Sequence, residues 1–184
     1  MGRFGSMKHD KNLLDMIMKY FTCWNKLIPL KHYSKEPVLE IQSCEPGAGT
    51  PHHKPKGFWV SVEDGWGWKD WCQQEEFRLD TFRVVYNIEL ATFSRVLHLR
   101  TPKDIQRFHF QFRVCDGQFM SYTYWRIDWA KVGQYYQGII IAPYQWSCRW
   151  DFDLNWYSTW DCSSGCIWDA SAIRKTYQTK EQQS

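Results

Sequence analysis

The stretch YYQGIIIAPYQW, residues 135–146, is the least polar run in a chain otherwise rich in charge and tryptophan. Its centre, 138–142, reads as a short apolar strand. A second follows in SGCIWDASAI, residues 164–173, where 165–169 reads as a strand closed by a turn. The two strands are expected to pair as neighbours at the centre of a sheet. Between their ends lies a tryptophan-rich loop, YQWSCRWDFDLNWYSTWDCSSG, residues 144–165.

Working outward, the remaining elements are short. HDKNLLDMIMKYF spaces Leu13, Leu14, Ile17, Met18 and Phe21 as one helix face behind Asp10 as N-cap. Residues 1–27 therefore read as an N-terminal helical extension. LIPLKHYSKEPVLEI is extended, its prolines excluding a long helix. EPGAGTPHHKPKG, residues 45–57, is a Pro/Gly-rich loop leading into the strand GFWVSV, 57–62. A glycine turn and a short helix follow in DGWGWKDWCQQEEF. FRVVYNIEL (82–90) and RVLHL (95–99) alternate as strands. Thr101, Pro102 and Asp104 then spell a helix start with a capping box. IDWAKVGQYY is a helix capped by Asp128 and ended by Gly138. Residues 176–184 read as a frayed polar tail.

Strands and helices do not alternate regularly, which disfavours a doubly wound parallel sheet. The expected fold is one α+β domain over 28–175, built on a strongly twisted, mostly antiparallel sheet with short helices. The chain of 184 residues is long enough for a real core. A net charge of +3 is too balanced to argue for nucleic acid on electrostatics. Twelve tryptophans stand several-fold above roughly 1–2% ordinary usage. They supply core or line a pocket for a planar ligand.

No apolar run reaches the roughly 18–20 residues of a membrane helix, and no secretory signal pattern is visible. The seven cysteines are expected to be free thiols in a cytoplasmic protein. Cys162-x3-Cys166, with Cys148 and His52–His53, matches no strong zinc signature, so no metal is expected. MGRFGS fits the myristoylation pattern at Gly2 and Ser6, a pattern short enough to arise by chance, and reads as an extension ahead of Met7. No P-loop, G-x-G-x-x-G, G-x-S-x-G or H-E-x-x-H motif is present.

Polar residues on apolar strands mark the candidate site. In LKHYSKEP an extended backbone puts His32 and Ser34 on one face. In KPKGFWVSV, Gly57 permits close backbone approach, Trp59 and Ser61 share one face, and Phe58 and Val60 share the other.

Taken in order, these segments resemble ADP-ribosyltransferase-like domains of phage and bacterial proteins. YYQGIIIAP followed by SGCIWDASAI resembles their closing element, a tyrosine-rich helix running into a YDGI-I/V-V strand and then E-Y-V-V-F-D-P-x-Q-I. SRVLHLRTPKDIQRF resembles the strand and helix before it. HYS at 32–34 resembles the first motif of the H-Y-E branch, and GFWVS its second strand. The resemblance covers 28–173 loosely.

It implies a split sheet that binds NAD as substrate. His32 would hydrogen-bond the dinucleotide, with Tyr33, Ser34, Trp59 and Ser61 completing the NAD site and an aromatic ring stacking on nicotinamide. In the family a Glu on the last strand stabilises the ribosyl cation as nicotinamide leaves. Here Ser164 falls at that Glu and Asp169 at the family's structural Asp. Asp161 is the nearest preceding acid, and Glu63 and Asp64 are the alternatives. Either Asp161, with His32, is catalytic, or the fold is kept without the transferase mechanism. The long loop carries Trp146, Trp150, Trp156, Tyr157 and Trp160, expected as a lid or as a platform for an unknown protein or nucleic-acid acceptor. Arg149, Asp151 and Asp153 keep it soluble. The alternative function is a non-catalytic module that binds a nucleotide or nucleic acid in the same cleft.

Overall fold

In the computed structural model, which describes residues 29–47, 54–119 and 122–179, the run at 138–141 is a strand buried along its whole length. The N-terminal extension lies outside the described residues, as do His52 and His53. The strands are β1 (Leu30–Ser34), β2 (Phe58–Val62), β3 (Val84–Leu90), β4 (Val96–Leu99), β5 (Arg113–Phe119), β6 (Tyr122–Ile127), β7 (Gly138–Ile141), β8 (Ser164–Ile167) and β9 (Ile173–Thr179). The helices are α1 (Trp68–Gln74), α2 (Pro102–Phe112), α3 (Trp129–Tyr135) and α4 (Trp146–Arg149). Seven strands form one sheet in the order β4-β7-β8-β2-β1-β3-β9, and β5–β6 is a separate hairpin. All pairs are antiparallel except β4–β7. The expected α+β class and mostly antiparallel sheet are present.

β7 and β8 pair in register from Gly138↔Ile167 to Ile141↔Ser164. Alternation along them separates two cores. Ile139, Ile141 and Cys166 belong to one cluster with Phe108, Trp129, Trp156, Tyr157 and Trp160. Ile140 and Ile167 belong to another with Leu30, Val60, Val62 and Ile88. The sheet is therefore buried on both faces at this point, which is why the run is apolar throughout rather than alternating.

The pairing between β1 and β2 is short. It spans Leu30↔Val62 and Lys31↔Ser61, whereas β1–β3 pairs five positions and β2–β8 four. The sheet is thus two well-paired blocks joined by a narrow seam, and beyond Lys31 the two strands part.

The capping expectations hold. Thr101 Oγ1 accepts from the Asp104 amide while Asp104 accepts from the Thr101 amide, and Asp128 accepts from the Lys131 amide. Three expectations need correction. Gly138 does not end α3, which is capped at Tyr136; it opens β7 instead. Residues 176–179 are not a tail but part of β9, paired with β3 as far as Val85↔Thr179. The β5–β6 hairpin was not anticipated, because Arg113–Phe119 is interrupted by Asp116 and Gly117, where the register shifts.

The tryptophan-rich loop is also corrected. Trp156, Tyr157 and Trp160 are fully buried. Phe108, Trp129 and Trp156 pack mutually in tilted and edge-to-face contacts at 5.5–6.3 Å. These side chains are core, since burying an aromatic ring outweighs what a mobile flap could return.

Gly165 does not use a conformation closed to other residues; its φ lies outside the left-handed region. It is a glycine because a Cβ there would meet the Ile139 carbonyl oxygen and Ile140 Cγ1 at 2.7 Å. Gly165→Ala should therefore destabilise the fold by about 1–3 kcal/mol through overpacking, read as a lower denaturation midpoint in urea with an unchanged slope.

Burial also displaces histidines. His98 is lowered from 6.5 to about 4, first by loss of water and then by repulsion from Arg100. His109 is lowered too, by burial and then by Arg113, and its Nδ1 accepts from Trp156 Nε1 at 3.2 Å. The fold favours the neutral rings, so the unfolded chain binds more protons below the ordinary imidazole range. Stability should be full above about pH 6.5 and fall as the pH drops toward 4. Melting temperatures across that window check this, and His98→Gln should flatten part of the loss.

Candidate functional site

Where β1 and β2 part, a cavity of about 630 Å³ opens. Strand alternation aims Trp59 and Ser61 from β2 into it, and Ser164 stands opposite Ser61 in register. Lys31, His32 and Tyr33 line it from β1, and Asp161 and Cys162 from the turn before β8. Lys54, Trp68, Arg78 and Thr159 complete much of the wall.

The seam is tied by side chains. His32 Nδ1 lies 2.7 Å from the Trp59 carbonyl oxygen, one residue beyond the last paired position. A carbonyl can only accept, so Nδ1 carries the proton and Nε2 keeps its lone pair. The ring stacks on Phe58 at 4.2 Å. Burial lowers its pKa, with the Trp59 carbonyl opposing, so the imidazole is neutral at pH 7. His32 thus bridges β1 to β2 as well as lining the cavity.

Ser61 Oγ donates to Glu63 Oε1 at 2.8 Å and accepts from the Trp68 amide at the start of α1, also at 2.8 Å. Tyr33 donates its hydroxyl to Glu63 Oε2 at 3.1 Å, and Lys31 Nζ lies 3.8 Å from the same oxygen. Glu63 is therefore the hub that fixes three cavity side chains. The period-two pattern Trp59, Ser61, Glu63 carried that signal in the sequence.

The Asp161 carboxylate lines the cavity between two cations. Oδ2 is 3.2 Å from Lys54 Nζ and Oδ1 is 3.7 Å from Arg149 Nη2. Arg149 is itself anchored by donating to the Tyr144 hydroxyl at 2.8 Å. The Asp161 carbonyl accepts from Trp66 Nε1 at 3.1 Å, holding the turn. Lys54 Nζ also stands 5.6 Å from the centroid of the Trp59 ring, which rests on Trp160 at 5.1 Å.

Three cations line the cavity, Lys31, Lys54 and Arg78, against Asp161 as its lining carboxylate among the described residues. Lys31 is paired with Glu63 and Lys54 with Asp161, so the wall can take an anion where these cations exchange partners. Arg78 holds a left-handed backbone at φ 47° without being glycine, a strained conformation of the kind that clusters at ligand sites. Nothing in the sequence marked Lys54 or Arg78, because the folding of two loops brings them to the wall.

Other expected site residues lie elsewhere. Ser34 Oγ donates to the Glu36 carbonyl, closing a local turn. Trp146 and Trp150 are 54% and 79% exposed and do not line the cavity. Trp156, Tyr157 and Trp160 lie in the core beneath it. Ser164 does face the cavity, its hydroxyl donating to the Cys162 carbonyl. Burial pushes the Cys162 thiol up to about 12, so it is protonated and no nucleophile at neutral pH.

Among the described residues no three His, Cys, Asp or Glu gather into a metal-holding group, and no helix is long and apolar enough to cross a membrane. No family model, no curated protein and no solved structure matches the chain.

Ser61→Ala should remove one donor from Glu63 and leave the half-buried Trp68 amide without its acceptor. The expected cost is about 1–3 kcal/mol of stability, measured by urea denaturation, with Ser61→Thr restoring part of it.

Proposed function

We propose that the cavity binds NAD and that the domain is an NAD-dependent ADP-ribosyltransferase or NAD glycohydrolase acting on an unknown acceptor. One observation carries the reading: an indole face, three cations and a carboxylate converge on one cavity at the parted strands. A dinucleotide offers matching chemistry, with planar rings for Trp59 and a diphosphate for Lys31, Lys54 and Arg78. The short pairing of β1 with β2 and the order of the sequence segments support the same family resemblance.

In the proposed reaction the bond between ribose C1 and the nicotinamide nitrogen breaks, and its electron pair leaves with neutral nicotinamide. Positive charge develops at C1 and is stabilised by a fixed carboxylate. Asp161 supplies that carboxylate. A lone pair of water or of an acceptor nucleophile then bonds to C1, and the nucleophile releases its proton to solvent water. His32 holds the edge of the site, its neutral Nε2 able to accept from a ribose hydroxyl. Trp146, Trp150 and Phe152 are the exposed aromatic residues of the long loop, open to an acceptor.

A second reading has its own support. Asp161 is already paired with Lys54 and Arg149, which blunts its charge, and Ser164 stands where the resemblance calls for Glu. A domain that binds the nucleotide without turning it over fits those two facts.

Incubating the protein with NAD labelled in the nicotinamide ring, with and without cell lysate, separates the readings. Release of labelled nicotinamide is expected, and Asp161→Asn should slow it by around a hundredfold, the scale of losing one preorganised electrostatic group. Binding without release in the wild type would favour the second reading. Absence of binding by both NAD and ADP-ribose would remove both. Full activity in Asp161→Asn with loss in Glu63→Gln would move the acid to Glu63.

A further inference from the structure

We propose that Lys54 is an internal occupant of a cation seat formed by Trp59 and Asp161. A ligand with a positively charged planar ring, an N-substituted pyridinium, enters by displacing it. The inference rests on the nucleotide-binding reading of the same cavity and adds how that cavity selects its ligand.

The seat already holds a cation. The Lys54 ammonium stands 5.6 Å from the Trp59 ring centroid and 3.2 Å from an Asp161 oxygen. An aromatic face on one side and a carboxylate on another make a site that prefers a cation to a neutral group of the same shape. Trp59 is held from behind by the buried Trp160, so its ring is a fixed surface.

The occupant can leave. Lys54 keeps 33% of its side chain exposed, and a lysine ammonium sits on a flexible four-carbon stem. When it leaves, Asp161 is not abandoned, because Arg149 remains at its other oxygen and is anchored by Tyr144. The departing ammonium stays within reach of a cavity lined by Lys31 and Arg78, where a ligand's phosphates would draw it. One lysine thus changes partner, from carboxylate to phosphate, as the ring takes its seat. Charge on the ring, rather than its outline, becomes the basis of selection.

Three small probes separate these parts, each titrated into wild type and Lys54→Met. The pyridinium 1-methylnicotinamide tests the seat, neutral nicotinamide tests the ring without charge, and ADP-ribose tests the phosphate clamp without a ring. In wild type the pyridinium should bind more tightly than nicotinamide. In Lys54→Met its affinity should rise by about tenfold, the scale of one partly desolvated cation–π contact. Nicotinamide should be unchanged and ADP-ribose weaker. Lys54→Gln, which removes the charge alone, should give the same signs, and unchanged far-UV circular dichroism checks the fold of both variants.

Pyridinium affinity that does not rise in the variants, or rises equally for nicotinamide, would overturn the seat while leaving nucleotide binding intact. Agmatine binding more tightly than the pyridinium would overturn it too, assigning the seat to an acceptor's guanidinium. Wild type that fails to bind ADP-ribose would instead take away the nucleotide reading beneath it.

Discussion

The site depends on the shortness of one strand pairing. β1 and β2 share two paired positions and then separate. Backbone groups released from a ladder must find other partners or face water. Here the Trp59 carbonyl accepts from the His32 imidazole, and the Ser61 hydroxyl accepts from the Trp68 amide, the first of α1. The opening is therefore a stabilised gap rather than a fraying edge. Among the strands, β1 lines it on one side and β2 with the start of β8 on the other.

The second constraint is the aromatic mass under the larger block. β8 is reached through a long connection after β7, and that connection supplies Tyr144, Trp156, Tyr157 and Trp160 to the core. Tyr144 and Tyr157 also spend their hydroxyls inward, on the Trp160 carbonyl and the Gln145 amide. A buried aromatic with a satisfied polar end fixes position as well as area. This rigidity is what delivers Asp161, one residue past Trp160, to the cavity wall. It also backs the Trp59 ring, so the tryptophan excess serves the site from beneath more than from within.

Much of the fold was legible because it rests on local rules. The apolar run at 138–141, the capping box at Thr101 and the cap at Asp128 each state their structure in a few residues. The alternation in FWVSV correctly aimed Trp59 and Ser61. What was not legible came from pairing at a distance. IRKTYQT looks like a polar tail because an edge strand exposes most of its side chains, and only its ladder with β3 makes it structure. Nothing local explains Gly165, whose smallness serves the close approach of β7 and β2. Trp146, Trp150, Trp156, Tyr157 and Trp160 could not be sorted into core and surface by composition. Lys54, Arg78 and the hub role of Glu63 follow from which loops the seam brings together.

The order in which the strands appear along the chain has a consequence for how the molecule comes into being. The chain emerges with β1, β2 and β3 early, yet β2 needs β8 and β3 needs β9, with Val85 facing Thr179 across almost the whole domain. Contacts between residues so far apart in sequence close large loops and are formed slowly. During synthesis the walls of the cavity would wait, incomplete, until the last strands leave the ribosome. A nascent chain would then carry no finished site until β8 has joined β2 and β9 has joined β3.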